Sequence, residues 1–207
     1  MRRIATFAFI AVATVMASVP AKAVTYLFDD ISTNAARTGT VSIGADAYAS
    51  FKTGSQGAAM SSLELNLGKS AAGSTGTITV GLYSESATAG VVGVLLATLG
   101  TVNVAGLTTS GATVMVTSGA NYLLAATTRY FIGLIDSSTG GRWGTINTAT
   151  GAIGTSGEYH STTTTGTLNS TLPMYMMRVA VPEPASMAVL GSGIVGLLMA
   201  RRRKSRS

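Results

Sequence analysis

Alternation of apolar and polar residues with a period of two is the feature that most constrains the fold of this 207-residue chain. In residues 62–67 three leucines alternate with polar residues, and residues 77–83 repeat the pattern with Ile, Val and Leu. This alternation is typical of a β-strand with one buried face. Residues 129–135 are apolar at nearly every position, which predicts a strand buried on both faces. Further strand candidates are residues 40–43, 48–52, 95–104, 113–117, 121–125 and 174–181.

The segments between these candidates are rich in Gly, Ser, Thr and Asn, a composition typical of turns and loops. Such clusters occupy residues 68–76, 106–111, 137–141 and 148–157. About eight to ten short strands joined by turns predict an all-β domain. We expect an antiparallel β-sandwich with a jelly-roll-like topology over residues 24–180, flanked by an N-terminal signal peptide and a C-terminal transmembrane helix.

The first 23 residues have the pattern of a secretory signal peptide. Arg2 and Arg3 precede an apolar run over residues 4–19, and Ala21 and Ala23 supply the small residues that precede a cleavage site. We expect export by the Sec machinery and cleavage after Ala23. The alternative is an uncleaved membrane anchor, for which the apolar run is short.

The C-terminal residues 181–207 contain three consecutive elements. The first is Val181-Pro182-Glu183-Pro184, whose prolines fix φ and remove backbone donors, so we expect an extended segment outside helix and sheet. Residues 185–200 follow without a charge and predict a transmembrane helix of about 24 Å, shorter than the ~30 Å hydrocarbon core. The last element, residues 201–207, contains the stop-transfer cluster Arg201-Arg202-Arg203-Lys204, which predicts a cytoplasmic tail.

This three-part segment resembles the PEP-CTERM sorting signal of Gram-negative bacteria. The resemblance implies processing by exosortase, a membrane-embedded protease or transpeptidase with a cysteine nucleophile. It implies that Pro182, Glu183 and Pro184 are the recognised positions, and that the tail is removed or exchanged. By this route the chain passes through the inner membrane and periplasm to the cell surface or the extracellular space. The alternative is a plain C-terminal anchor that follows a proline-rich spacer.

The exported body resembles the choice-of-anchor domains, which are β-domains found upstream of surface anchors. The similarity rests on short segments within residues 29–179, namely residues 31–33, 49–51, 79–84, 94–97 and 128–134. It implies a β-sandwich at the cell surface and supplies no catalytic residues.

The positive charge of the chain belongs to its ends. The chain has 14 Lys and Arg against 8 Asp and Glu, but eight of those cations lie before residue 24 or after residue 200. The body between Val24 and Val181 has six cations and seven acids, a net charge of −1. A near-neutral body does not favour a nucleic-acid partner.

Few residues of the body are suited to catalysis or metal binding. The chain has no cysteine and one histidine, His160, which lies two residues from Glu158 in a polar segment typical of a surface loop. This composition argues against a transition-metal site and a histidine-based triad, so we expect no enzyme activity and no cofactor. A hydrolase with paired carboxylates is a third hypothesis for which no convincing pair stands out. Calcium binding at Asp29-Asp30 or Asp136 is an alternative to ordinary aspartates at strand ends.

Trp143 is the only tryptophan, and it lies beside Arg142 in a glycine-flanked segment. An exposed Trp and Arg pair suits stacking on a sugar, whereas a buried Trp would cap one end of the core. The leading hypothesis is therefore a non-enzymatic surface or extracellular-matrix protein. The alternative is a carbohydrate-binding module or adhesin of the cell surface or biofilm matrix, with Trp143 and Arg142 as contacts to extracellular polysaccharide.

Overall fold

The computed structural model of the chain describes residues 24–31, 39–55, 57–116, 122–137, 140–146, 160–161 and 174–182. The predicted signal peptide, the predicted transmembrane helix and the basic tail lie outside these residues. Among the described residues, no helix is long and apolar enough to cross a membrane.

The described residues form antiparallel β-sheets, so the prediction of an all-β domain is confirmed. A single 3-10 turn, Val104–Gly106, interrupts the strands of this described part. The strands are β1 (Val24–Asp29), β2 (Gly39–Ser42), β3 (Asp46–Lys52), β4 (Ala58–Met60), β5 (Ser62–Lys69), β6 (Thr77–Glu85), β7 (Val92–Asn103), β8 (Ala112–Val116), β9 (Tyr122–Leu124), β10 (Arg129–Asp136), β11 (Gly141–Ile146), β12 (His160–Ser161), β13 (Met174–Tyr175) and β14 (Met177–Pro182).

The larger sheet has seven strands and is organised around β5. One edge of β5 pairs with β8, and its other edge pairs with β14 and then with β11. Strand β1 adds to the outer edge of β14, β2 adds to β11, and β13 pairs with the end of β11. The first strand of the described body therefore lies next to its last strand.

The second sheet has the order β12-β3-β10-β6-β7, and β4 and β9 form a separate pair. The central strand β10 is buried along almost its whole length, as its sequence predicts. Its outer face holds a second apolar cluster, in which the rings of Tyr48 and Tyr83 meet edge to face at 5.3 Å. Gly133 lies beneath these rings, and a Cβ at this position would come within 2.5 Å of each.

One hydrophobic core joins residues of both sheets. Leu63, Leu65 and Leu67 of β5 are fully buried in the same cluster as the inward residues of β6 and β10. Burial of each leucine contributes roughly 1.5–3 kcal/mol, so the alternation along β5 and β6 determines which faces meet.

Besides the three-residue strand β4, three strands form where the sequence does not predict them. Strand β1 follows the predicted signal peptide directly, and β11 begins in a segment predicted as a loop. Strand β12 also lies in the segment expected to be a polar loop. All three depend on partners far away in the chain, and these partners supply the hydrogen bonds that local propensity does not favour.

Candidate functional site

The last strand, β14, is enclosed between two others. Its residues 177–180 pair with β5, and its residues 178–182 pair with β1 in the register Val24↔Pro182, Thr25↔Val181 and Tyr26↔Ala180. Val181 and Pro182 are therefore part of a sheet, which corrects the expectation that the proline-rich segment begins outside it. The pairing is compatible with Pro182 because this residue ends the strand, where its missing N–H matters least.

A cluster of charged side chains fastens β14 to both neighbours. Arg178 Nε donates to Asp29 Oδ1 of β1 at 3.1 Å, and its Nη1 donates to Glu64 Oε2 of β5 at 3.1 Å. The guanidinium also lies over the ring of Tyr26, 4.8 Å from its centre. We call Tyr26, Asp29, Glu64 and Arg178 the Arg178 cluster.

The charged side chains of the Arg178 cluster are buried, so the folded state depends on their pairing. The side chain of Asp29 is 1% exposed and that of Arg178 is 16% exposed. Burial alone would lower the pKa of Arg178, but the hydrogen bond and charge of Asp29, with the charge of Glu64, outweigh it and raise the pKa above its usual value. Arg178 therefore stays charged, and its removal would leave the carboxylate of Asp29 buried without this cation.

Asp30 follows Asp29 in the chain, and its carboxyl group differs from that of Asp29 in its protonation and contacts. Its Oδ1 accepts a hydrogen bond from the Met177 N–H at 2.6 Å, and its backbone N–H donates to the Met177 carbonyl at 3.2 Å. Its Oδ2 is buried and has no hydrogen-bond partner in the part of the chain that the structure describes. Burial, reinforced by the charge of Asp29, raises the pKa of Asp30 to about 8, despite the opposing effect of the bond from Met177. The carboxyl group is therefore protonated at neutral pH.

Trp143 is placed in the core and not on the surface. Its ring is fully buried and stacks on Tyr175 at 4.4 Å with an interplanar angle of 10°. Its Nε1 donates to the Met176 carbonyl at 3.0 Å, at the junction between β13 and β14. This position leaves no exposed ring face for a sugar, and it agrees with the alternative of a tryptophan in the core.

Arg142 lies on the opposite, outer side of β11 from Trp143. It pairs across the strands with Ser42 of β2 and Gly68 of β5, and its Nη1 donates to Thr40 Oγ1 at 3.3 Å. Its Nε is buried and has no hydrogen-bond partner among the described residues. The side chain as a whole is half-buried, whereas Trp143 is fully buried.

The aspartates considered for calcium have structural contacts. Asp29 Oδ1 accepts from the Ile31 N–H as well as from Arg178, and Asp136 Oδ2 accepts from the buried Gly141 N–H at 3.0 Å. Within the part of the chain that the structure describes, no group of three or more His, Asp or Glu side chains lies close enough to hold a metal ion. Calcium binding stays a prediction that these contacts do not test.

Several predicted site residues lie outside the described residues. These are Ala21 and Ala23 at the expected signal cleavage site, Glu183 and Pro184 of the proline-rich segment, Glu158, and the cluster Arg201-Arg202-Arg203-Lys204. His160 is described only by its backbone, which pairs with Ala49 of β3.

Comparison with protein-family models gives one match, to the PEP-CTERM protein-sorting motif, over residues 180–204. These residues form a PEP-CTERM sorting motif. The motif implies processing by exosortase and export through the membrane to the cell surface. Comparison with curated proteins and with solved structures gives no significant match.

The sorting motif and the folded body overlap. The match begins at Ala180, which is 2% exposed and pairs with Ser62 of β5, and it continues through Val181 and Pro182 at the end of β14. The expected boundary between a domain ending at residue 180 and a signal starting at residue 181 thus falls within one strand. No linker separates the motif from the sheet.

The Arg178 cluster is not predicted from the sequence. Glu64 and Asp29 precede Arg178 by 114 and 149 residues in the chain, so no local pattern brings them together. The position of Arg178 is one indication of the cluster in the sequence. Arg178 is one of only six cations in the body and lies four residues before Pro182. An isolated charge inside an otherwise apolar strand is rarely buried without a partner.

Proposed function

We propose that this chain is a non-enzymatic protein of the cell surface or extracellular matrix, exported by the Sec machinery and delivered through its C-terminal sorting motif by exosortase. Its exported body is a β-sandwich with a jelly-roll-like arrangement. The observation that carries the proposal is the match of residues 180–204 to the PEP-CTERM sorting motif.

The contacts of the acidic residues support a structural role for the body. Asp29 and Glu64 both bind Arg178, and Asp136 accepts a backbone hydrogen bond at a strand end. Carboxylates used in this way hold strands together, whereas a general acid and base need access to a substrate in a cleft. This arrangement favours a scaffold over a hydrolase.

Fractionation of paired strains tests the proposal. The full chain is produced in a Gram-negative host that contains exosortase and in the same host with the exosortase gene deleted. We expect the protein in the surface or extracellular fraction of the first strain and in the inner membrane of the second. A Pro184→Ala variant serves as the matched substrate control and should follow the deletion pattern. Equal delivery in both strains would contradict exosortase sorting.

A second candidate function is binding of an anionic polysaccharide through Arg142. The side chain of Arg142 is half-buried on the outer side of β11, and the exposed part of a guanidinium suits a sugar carboxylate. We expect an array of acidic and neutral glycans to show binding only to acidic ones, with loss in Arg142→Gln. The matched control is Arg129→Gln, because Arg129 is already engaged with Glu85. Retained binding in Arg142→Gln would exclude this site.

A further inference from the structure

We propose that strand β1 gates the access of exosortase to the start of the sorting motif, residues 180–182. This part of the motif becomes available to exosortase only when the end of β14 separates from β1. This inference rests on the proposed function, since it concerns how the same motif is processed.

The start of the motif is held inside the sheet. Ala180 pairs with β5 on one side and β1 on the other, and its carbonyl accepts a hydrogen bond from the Ser61 N–H at 2.8 Å. Beyond Ala180 the pairing with β5 ends, and among the described strands β1 alone pairs with Val181 and Pro182. Val181 is 5% exposed.

A strand in this state is a poor substrate for a protease. Enzymes that bind an extended peptide use its free backbone N–H and C=O groups, as when a peptide adds to the edge of a sheet. Ala180 is paired on both edges, and Val181 and Pro182 are paired on the edge that faces β1. Exosortase can therefore bind the full backbone of residues 180–182 only after this strand end opens.

The geometry limits the opening to the last few pairs. Pro182 has no N–H, so its pair with Val24 lacks one donor, and the register with β1 shifts between Tyr26 and Phe28. Further inward, Arg178 ties β14 to both β1 and β5 through its two ion pairs. Local opening of a strand end costs less than global unfolding. Residues 24–26 and 180–182 are thus the unit that opens.

The gate pairs the predicted mature N-terminus with the start of the sorting motif. Val24 follows the predicted signal cleavage site after Ala23, and it pairs with the first proline of the motif. The strand that closes over the sorting motif is therefore the one that begins at the predicted mature N-terminus. Release of the N-terminus and formation of the gate involve the same residues.

A disulfide across the gate provides the test. The chain has no cysteine, so Thr25→Cys with Val181→Cys introduces a single pair at directly opposed positions. Opposed residues in antiparallel strands have Cα atoms roughly 4.5–5.5 Å apart, within the range of a disulfide. The matched control is Thr79→Cys with Thr101→Cys, an opposed pair between β6 and β7.

Processing is measured in membranes that contain exosortase and the full chain, with and without a reductant, by mass spectrometry of the C-terminus. We expect the 25/181 disulfide to slow processing on the order of tenfold or more, because local opening is blocked. The reductant should restore the rate, and the 79/101 control should resemble the wild type in both conditions. An intact 25/181 disulfide with processing at the wild-type rate would overturn the gate.

A second variant tests the gate in the opposite direction. Tyr26→Ala removes the ring over which Arg178 lies and should loosen β1, which predicts faster processing than in the wild type. A rate equal to that of the wild type would also count against the gate. Failure of the wild type itself to be processed in these membranes contradicts the proposed function instead, so the two ideas fail separately.

Discussion

Replacing Asp30 by asparagine should remove most of the pH dependence that this residue gives to the stability of the body. The asparagine carbonyl retains the acceptor for the Met177 N–H, while the side chain no longer titrates. The substitution therefore separates the effect of the proton on Asp30 from the effect of its shape.

The magnitude follows from the pKa of Asp30, which burial raises from 3.8 to about 8. The unfolded chain releases this proton above about pH 4, whereas the folded chain holds it up to about pH 8, so folding takes up a proton between these values. The folded state is therefore most favoured at acidic pH and loses stability as pH rises through this window. The loss is about 1.4 kcal/mol per pH unit, and at most about 6 kcal/mol in total.

Urea denaturation at a series of pH values measures this effect. We expect the wild-type free energy of unfolding to fall between about pH 5 and pH 8 more steeply than that of Asp30→Asn, by about 1.4 kcal/mol per unit. At low pH the variant should be the less stable protein by about 1–3 kcal/mol, because its amide places two N–H donors where the protonated acid places one, at a position with no partner among the described residues.

The native far-UV circular dichroism and the m-values serve as controls and should agree between the two proteins. Parallel pH profiles would mean that Asp30 takes up no proton on folding, contrary to this prediction.

Three further substitutions test the packing around the sorting strand and the outer face of the second sheet. Arg178→Met should lower the free energy of unfolding by about 3–5 kcal/mol because Asp29, 1% exposed, would stay buried without this cation. Arg129→Gln should cost less than about 1 kcal/mol because its partner Glu85 lies 3.7 Å away and is 27% exposed; equal losses in urea denaturation would contradict the buried cluster. Trp143→Ala should cost about 3–5 kcal/mol by leaving a cavity, and wild-type stability by calorimetry would contradict its place in the core. Gly133→Ala should cost about 1–3 kcal/mol because the new methyl group meets two tyrosine rings, and an unchanged melting temperature would exclude this close contact.

The sequence predicts the strands whose two faces differ most. Residues 62–67 of β5 and 77–82 of β6 alternate in sequence between polar or small and larger apolar side chains, so these strands and their inward faces follow from the period. Strand β10 is predicted as buried on both faces because apolar residues fill nearly every position, and in the structure one face packs in the main core while the other lies in the second apolar cluster.

The sequence does not predict strands that depend on distant partners. Strand β11 contains two glycines, which disfavour a strand, yet it forms because β2 and β5 pair with its two edges. The same limit applies to Trp143, since its burial depends on Tyr175, 32 residues further along the chain. Strand β1 pairs with residues more than 140 positions away, so no local signal reveals it.

One part of the candidate site is predicted from the sequence, and the other part is not. The sorting motif is a local pattern, and its recognition from the sequence is confirmed by the family match. The Arg178 cluster and the enclosure of β14 between β1 and β5 arise only from tertiary pairing. The sequence thus identifies the sorting motif, while the structure shows that β1 and β5 pair with the strand in which the motif begins.

Processing of this chain by exosortase at its C-terminal motif can be tested by the mass of the mature protein. Intact-mass and peptide mass spectrometry are applied to the surface fraction of a strain that contains exosortase. We predict an N-terminus at Val24 and loss of the segment after Pro184, including Arg201. A surface protein that retains the complete basic tail would contradict the account.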